Sequence, residues 1–446
     1  MHPRFFALTA ALLVTTLTAP GQSADSDFKL YTDHPRLLLN QKRLRLLRRE
    51  RERQSMRWMQ FDTLMKGKAA MPEQAFASAL YSQVTEDAVH CRTAVDAAVR
   101  PATDLRQVAL TYDWCEASLT DTQRTQLRTR LERALRDPAA SSFAAGRDRA
   151  FAAMVLSDAA ALNQLINVWW RKNLAPALVS GNRRIDHADI YPFLELAHAI
   201  RDNLQIDLRD DILPVFRDLA LRRLLGYYPA SWPAPENDYR IPYFTGKGEP
   251  DLRLAALTRA AEFALVAYES NAQEMQFLQG WLSLDRFVLK SSFGVVYEFL
   301  WANPYQPGLP FEKLPLSLHE PRTGTLLIRS SWDEDATWLG FIDGSAQLFR
   351  DGQIRPAPLR DPLVIGTAML LSGAPTAREF RVAGSAPDIW YLIGLKPSAN
   401  FDVEVDDEDM TDLTSDRGGI AKIQFTRKNG QAVYLHPPRK SAPSAP

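Results

Sequence analysis

The sequence predicts an α+β protein of two domains, helical first and all-β second, and three observations carry the prediction. At 446 residues the chain exceeds what one hydrophobic core usually organises. As far as Leu300, apolar residues recur three and four positions apart, the period of an amphipathic helix. After Asn303-Pro304-Tyr305-Gln306-Pro307-Gly308, short runs that alternate every second residue take over.

The chain opens with Met1-His2-Pro3-Arg4, a short basic start, then an apolar run from Phe5 to Ala19. Small residues follow at Ala19-Pro20-Gly21-Gln22-Ser23-Ala24. This layout is expected of a secretory signal peptide over residues 1–24, cleaved near Gly21 or Ala24, with an N-terminal membrane anchor as the alternative. No later apolar stretch has the length of a spanning helix, so a periplasmic or secreted protein with no membrane contact after signal removal is expected.

Residues 25–303 form the expected helical domain. The helical spacing is plain in Leu254, Leu257, Ala261, Leu265 and Tyr268, in Phe277, Trp281, Leu284 and Val288, and in Phe193, Ala197, Ile200 and Leu204. Gln41–Arg53, Asp104–Ala117, Asp121–Arg136, Ala150–Ala161 and Ile212–Leu225 read as further helices. Ser118-Leu119-Thr120-Asp121 supplies an N-cap signal for one of them. Many helices with short links stack in pairs, as a solenoid or a closed ring; the lack of a fixed repeat length favours the ring.

Cys91 and Cys115, both in helical segments, either pair across a helix hairpin or remain two buried thiols. Tyr227 to Glu249, rich in Pro, Gly and aromatics and including Tyr239 and Arg240, interrupts the helices. A long loop of this kind is either functional or a hydrophobic patch closing the ring.

Residues 304–437 form the expected β-domain, an antiparallel sandwich. Its expected strands are Gly324–Trp332, Thr337–Asp343, Asp361–Leu371, Gly419–Thr426 and Gln431–His436, the last two joined by a Lys428-Asn429-Gly430 hairpin turn. The acidic stretch from Asp402 to Asp416 reads as a solvated loop, with calcium binding as the alternative. The tail, residues 438–446, reads as disordered. With 53 basic and 53 acidic residues the chain lacks the basic excess of a nucleic-acid binder, though a local basic groove for an acidic sugar remains compatible.

Three patterns resemble the heparinase II/III and alginate-lyase-type polysaccharide lyases. They are His34-Pro35-Arg36-Leu37-Leu38; Leu110-Thr111-Tyr112-Asp113-Trp114-Cys115 with Ser118-Leu119-Thr120 and Gln123-Arg124; and Gly324-Thr325-Leu326-Leu327-Ile328-Arg329-Ser330-Ser331-Trp332-Asp333 with Trp338-Leu339. They occur in the family's order and span most of the chain. The resemblance implies an N-terminal α/α toroid followed by a C-terminal antiparallel β-sandwich, and β-elimination on a uronate-containing glycan. In that reaction a tyrosine, sometimes with a histidine, moves the proton, while cationic groups neutralise the uronate carboxylate.

The family has an arginine, a histidine-like position and a tyrosine leading into a helix where this chain reads Arg183-Arg184-Ile185-Asp186-His187-Ala188-Asp189-Ile190-Tyr191-Pro192. Carried over, Arg184 binds the carboxylate, Tyr191 is base or acid, and His187 assists. Pro192 suits a helix that begins there, with Tyr191 just outside it. The plainer roles for the same residues are a packed aromatic, a capping histidine and solvated arginines.

Arg147 and Arg149 are further candidates to neutralise the carboxylate, and Tyr239 and Arg240 to contact substrate. Trp114, Trp169 and Trp170 are either core or stacking platforms. Two departures stand out. The family's asparagine–histidine pair is replaced by Gly146-Arg147-Asp148-Arg149-Ala150-Phe151, and its β-domain histidines are absent from Phe341 to Gly352. No metal and no cofactor is expected.

Three functions follow: a polysaccharide lyase acting on an acidic glycan; a non-catalytic glycan-binding or polysaccharide-assembly protein of the same build; and a glycoside hydrolase. The last needs two facing acids, from Asp113, Asp186, Asp189 and Glu236.

Overall fold

The computed structural model describes residues 29–136, 142–231, 240–244, 249–284, 291–303, 305–357, 361–372, 378–381, 387–406, 409–424 and 432–437. The expected signal peptide, the expected Lys428-Asn429-Gly430 turn, residues 438–446, Tyr239 and Glu236 lie outside these residues.

The helices are α1 (Gln41–Glu52), α2 (Met56–Lys66), α3 (Gln74–Thr85), α4 (Ala88–Ala98), α5 (Leu105–Trp114), α6 (Asp121–Arg136) and α7 (Phe143–Val155). After them come α8 (Ala159–Asn163), a π-helix (Gln164–Leu174), α9 (Ala175–Val179), α10 (His187–Leu204), α11 (Leu213–Leu225), α12 (Leu252–Tyr268), α13 (Gln273–Leu282) and α14 (Gly294–Trp301). Side chains of Asn40, Ser55, Asp104, Ser142 and Asp251 accept first-turn N–H groups and set where α1, α2, α5, α7 and α12 begin. At α6 the cap is reciprocal: Thr120 Oγ1 accepts from Gln123 N, and Gln123 Oε1 accepts from Thr120 N.

Two helix starts differ from the expectation. The α7 helix begins at Phe143, seven residues before Ala150, because Ser142 caps it. The α10 helix begins at His187, so Tyr191 and Pro192 lie inside it. Proline there removes one donor, that for the Ala188 carbonyl, and tertiary burial of Ile190, Tyr191 and Phe193 offsets the loss.

Packing runs from α3 to α5, then α7, α10, α12 and α14, then to α2 and back to α3. One continuous apolar core joins these helices. Two of the sequence motifs meet in a clasp at its edge. The buried Asp113 carboxylate accepts Arg36 N and Leu37 N, both at 2.8 Å, and His34 Nδ1 lies 2.5 Å away. Trp114 Nε1 donates to the Leu37 carbonyl at 2.9 Å. Cys91 and Cys115 are disulfide-bonded, tying α4 to the end of α5.

The β-region holds three sheets among the described residues. The first is an antiparallel meander of β1 (Ser317–Glu320), β2 (Thr325–Arg329), β3 (Trp338–Ile342), β4 (Ser345–Arg350) and β5 (Gln353–Pro356). Along β2 the side chains alternate as a pleat requires: Leu327 joins the helical core, while Leu326 and Ile328 face the next sheet.

That next sheet contains β6 (Leu363–Ile365), β7 (Ala368–Ser372), β9 (Ile389–Ile393) and β12 (Ala421–Gln424). Its β7–β9 ladder is parallel, a departure from the all-antiparallel expectation. The third sheet comprises β8 (Arg378–Arg381), β10 (Asn400–Val405), β11 (Asp409–Thr414) and β13 (Ala432–Leu435). On β9, Trp390 and Leu392 face the third sheet while Tyr391 and Ile393 face the first. The region is therefore layered outward from the helices.

Two more expectations are corrected. The strands β12 and β13 belong to different sheets and do not pair as a hairpin. The acidic stretch is mostly the β10–β11 antiparallel pair, in which Asn400↔Thr414 and Val405↔Asp409 are opposite, not a loop.

Candidate functional site

A cavity of about 460 Å³ opens where the start of α10, the base of the 227–249 segment and the β3–β4 turn meet. Each wall has a local cause. Gly181, at φ +74°, lets the loop before α10 press against the β1–β2 turn, where any Cβ would strike the Arg322 carbonyl at 1.9 Å. Asp343 and Gly344 both have positive φ, the geometry of a two-residue hairpin turn, which presents the Asp343 carboxylate to that loop. The interrupting segment closes at its base: Tyr228 N donates to the Ile241 carbonyl at 3.2 Å and Tyr243 N to the Gly226 carbonyl at 2.8 Å. This brings the Tyr243 ring edge-on to His187, with centroids 4.7 Å apart.

Arg184 and His187 line this cavity, with Asp186, Tyr243, Asp251 and Asp343. Arg184 is already committed, with Nη2 donating to Asp343 Oδ2 at 2.9 Å and Nε 3.6 Å from Asp186 Oδ1. The hydrogen bond to Asp343 holds its pKa above the ordinary value. His187 Nδ1 faces Arg223 Nη2 at 2.7 Å and so acts as acceptor, which places the ring proton on Nε2. Burial, then the Arg223 and Arg222 charges, push its pKa well below the ordinary histidine value. Neutral near pH 7, it is a hydrogen-bond donor and a weak base. Among the described residues the lining holds four carboxylates, from Asp186, Glu249, Asp251 and Asp343, and one guanidinium, from Arg184.

Tyr191 is not among the lining residues. It is 2% exposed, one turn further along α10, and accepts Trp301 Nε1 at 3.1 Å and Arg106 Nη2 at 3.3 Å. Burial, then the Glu195 carboxylate, raise its pKa well above that of a free phenol. The charges around it form one buried network. Glu195 takes both Arg106 Nε, at 2.8 and 2.9 Å, and Arg147 Nη1, at 2.9 Å. Arg106 Nη1 reaches Glu73 at 3.1 Å, and the Tyr297 hydroxyl donates to the same carboxylate. Burial is the largest single effect and opposes the Arg106 charge, but Glu195, Tyr297, Tyr191 and Glu73 together outweigh it and hold the pKa well above the ordinary value. Arg147 is thus saturated by Glu195 and Asp148, not turned toward a ligand.

The remaining candidates are dispersed. Arg149 is half-buried on α7 and lines no part of the cavity. Trp114 and Trp170 are core, their indole N–H groups given to the Leu37 carbonyl and to Asp211 Oδ2. Trp169 packs against Gly146. Arg240 lies 3.2 Å from Glu334. Of the possible hydrolase acids among the described residues, only Asp186 lines the cavity; Asp113 belongs to the clasp and Asp189 lies 3.9 Å from Arg183. Among the described residues, no three His, Cys, Asp or Glu side chains are grouped to hold a metal ion, and no helix is long and apolar enough to cross a membrane.

Tyr243, Arg223, Asp251 and Asp343 were missed from sequence. Asp343-Gly344, a turn dipeptide between two apolar runs, was the one local signal available. No protein-family model matches the chain, and no curated protein matches it.

Proposed function

We propose that the chain is an exported, polysaccharide-lyase-like protein that binds a glycan between its helical and β-regions without eliminating it. In this reading the helices form an α/α toroid, supported by the packing circuit from α3 through α14 and α2 back to α3. The outer two sheets form the sandwich, and the meander joins it to the toroid.

One observation carries the reading. The interdomain cavity is lined both by aromatic side chains, Tyr243 and Phe244, and by hydrogen-bonding groups on Arg184, Asp186 and Asp343. A sugar ring has an apolar C–H face and a polar hydroxyl edge, and a lining of both kinds matches it; the volume suits one or two such rings. Proton abstraction beside a uronate needs an accessible phenol that ionises and a cation free for the carboxylate. Tyr191 is enclosed with its pKa raised, and Arg184 is held by Asp343. The carboxylate rim also disfavours a uronate, so the bound unit is a neutral or amino sugar.

A second reading, active elimination, has a specific observation in its favour: Tyr243 lies in the cavity against His187. One experiment separates the two. Neutral, amino and uronate oligosaccharides are titrated calorimetrically while ultraviolet absorbance follows any unsaturated product. Binding of a neutral or amino sugar with flat absorbance, weakened by Tyr243→Ala, is the expected result. Rising absorbance that Tyr243→Phe abolishes establishes elimination instead. No binding by any sugar sinks both.

A further inference from the structure

The opposite end of α10 opens on a second cavity, of about 560 Å³, between α1 and the C-terminal ends of α10, α12 and α14. His187 and Arg201 stand fourteen residues apart on α10, about 21 Å at the helical rise, so the two cavities are separate.

Among the described residues the lining contains five cations, Lys42, Arg43, Arg45, Arg49 and Arg201, against one carboxylate, Asp202, an excess of four positive charges. Asp202 is itself engaged: it accepts Asn40 Nδ2 at 2.8 Å and lies 3.8 Å from Arg201 Nε. Lys42, Arg45 and Arg49 are exposed, and among the described residues they form no ion pair.

The fold accounts for part of this crowding: Arg201 in the last turn of α10 and Arg49 in the last turn of α1 each complement a negative helix end. At the start of α1 the sign is reversed: Lys42 and Arg43 occupy the first turn, which holds no acidic residue, beside the helix's positive end. Lys42, Arg45 and Arg49 also share one face at spacings of three and four, where like charges repel.

Arg43 adds an independent sign. Its guanidinium lies over the Trp301 ring, 4.3 Å from the centroid, and makes one hydrogen bond, Nη1 to the Leu300 carbonyl at 3.3 Å. Its Nε is buried with no partner. Burial draws its pKa down to about 10, with Asp202 only partly offsetting. A half-buried cation that Asp202 offsets only in part, with an unpartnered Nε, is further stabilised by a bound anion.

We infer that this cavity binds a small polar molecule bearing a multivalent oxyanion, a phosphate, sulfate or polycarboxylate group, clamped by Arg43, Arg201 and the exposed cations of α1. The amides of Gln279, Asn303 and Gln306 meet its uncharged part.

The test is calorimetric titration of the full chain with pyrophosphate, inorganic sulfate, citrate and glucuronate. Multivalent probes bind more tightly than glucuronate, and affinity falls as salt rises. The order among pyrophosphate, sulfate and citrate identifies the oxyanion. Arg43→Gln weakens binding, and the exposed double variant Arg45→Gln/Arg49→Gln weakens it by about tenfold or more with an unchanged melting temperature. Arg184→Gln, at the other cavity, leaves binding unaltered. Lack of binding by every multivalent probe overturns the inference. So does unchanged affinity in the double variant, or loss of binding in Arg184→Gln.

Discussion

The two ends of α10 line cavities of opposite charge, whereas its middle is buried in a network of paired charges. At the start, Asp186 lines the interdomain cavity and Asp189 lies in the first turn; at the finish, Arg201 lines the basic cavity. Part of this polarity serves the helix itself, since acids favour its positive end and bases its negative end. Between them, Tyr191 and Glu195 meet Arg106 and Arg147 in a sealed network. The difference teaches that ionisable residues on one helix separate by access: those sealed within serve the fold, and those at the openings remain available to a ligand.

That division is tested most severely at Glu195. Glu195→Ala leaves two buried guanidinium groups without their carboxylate and is expected to cost about 3–5 kcal/mol in denaturant unfolding. A loss near zero would mean water reaches the network and the middle is not sealed.

Acid pH probes both ends together. His187 and His198 are each held below the ordinary histidine pKa, first by burial and then by neighbouring arginines. Below about pH 6.5 the unfolded chain gains protons that the folded chain refuses, so stability falls as pH falls through that range. His34 acts with the opposite sign, because Asp113 raises its pKa, and its contribution is lost as pH rises. Unfolding free energies between pH 7.5 and 5.5 should decline, and His187→Gln and His198→Gln should each flatten the slope. A slope that neither variant changes would assign the acid sensitivity elsewhere.

Tyr191→Phe removes the acceptor of two hydrogen bonds and is expected to cost about 1 kcal/mol while glycan binding stays as it was. A binding defect with intact stability would return Tyr191 to the site. The smallest effect belongs to Arg184→Gln, whose partner Asp343 is exposed: stability should change by less than about 1 kcal/mol. Sugar binding is the sensitive readout there.

Much of the fold was legible because its signals are local. The first helix and α6 were bounded to within a residue, α6 with the help of its cap signal, and the change from a three-and-four spacing to alternation marked where β-structure begins. The start of α10 was misplaced because Pro192 was read as a boundary, when the burial of its neighbours held the helix together around it. Strands were visible but their partners were not: β12 and β13, adjacent in sequence, are recruited to different sheets. The site divided in the same way. Arg184 and His187, close in sequence, line one cavity, whereas Tyr243 and Asp343 reach them from 56 and 159 residues downstream, a pairing no local pattern encodes. The burial of Tyr191 was not legible for the same reason, since the arginine it meets lies 85 residues upstream.

The clasp at Asp113 has a practical corollary for anyone producing this protein. It anchors residues 34–37, and just before them Tyr31 N donates to the Asn203 carbonyl at 3.0 Å, next to Asp202 on the wall of the basic cavity. An affinity tag fused shortly before Lys29 would therefore be tethered beside that opening. An acidic tag would be held there at high local concentration and would mask a weak soluble anion. Tags for such measurements belong at the other terminus.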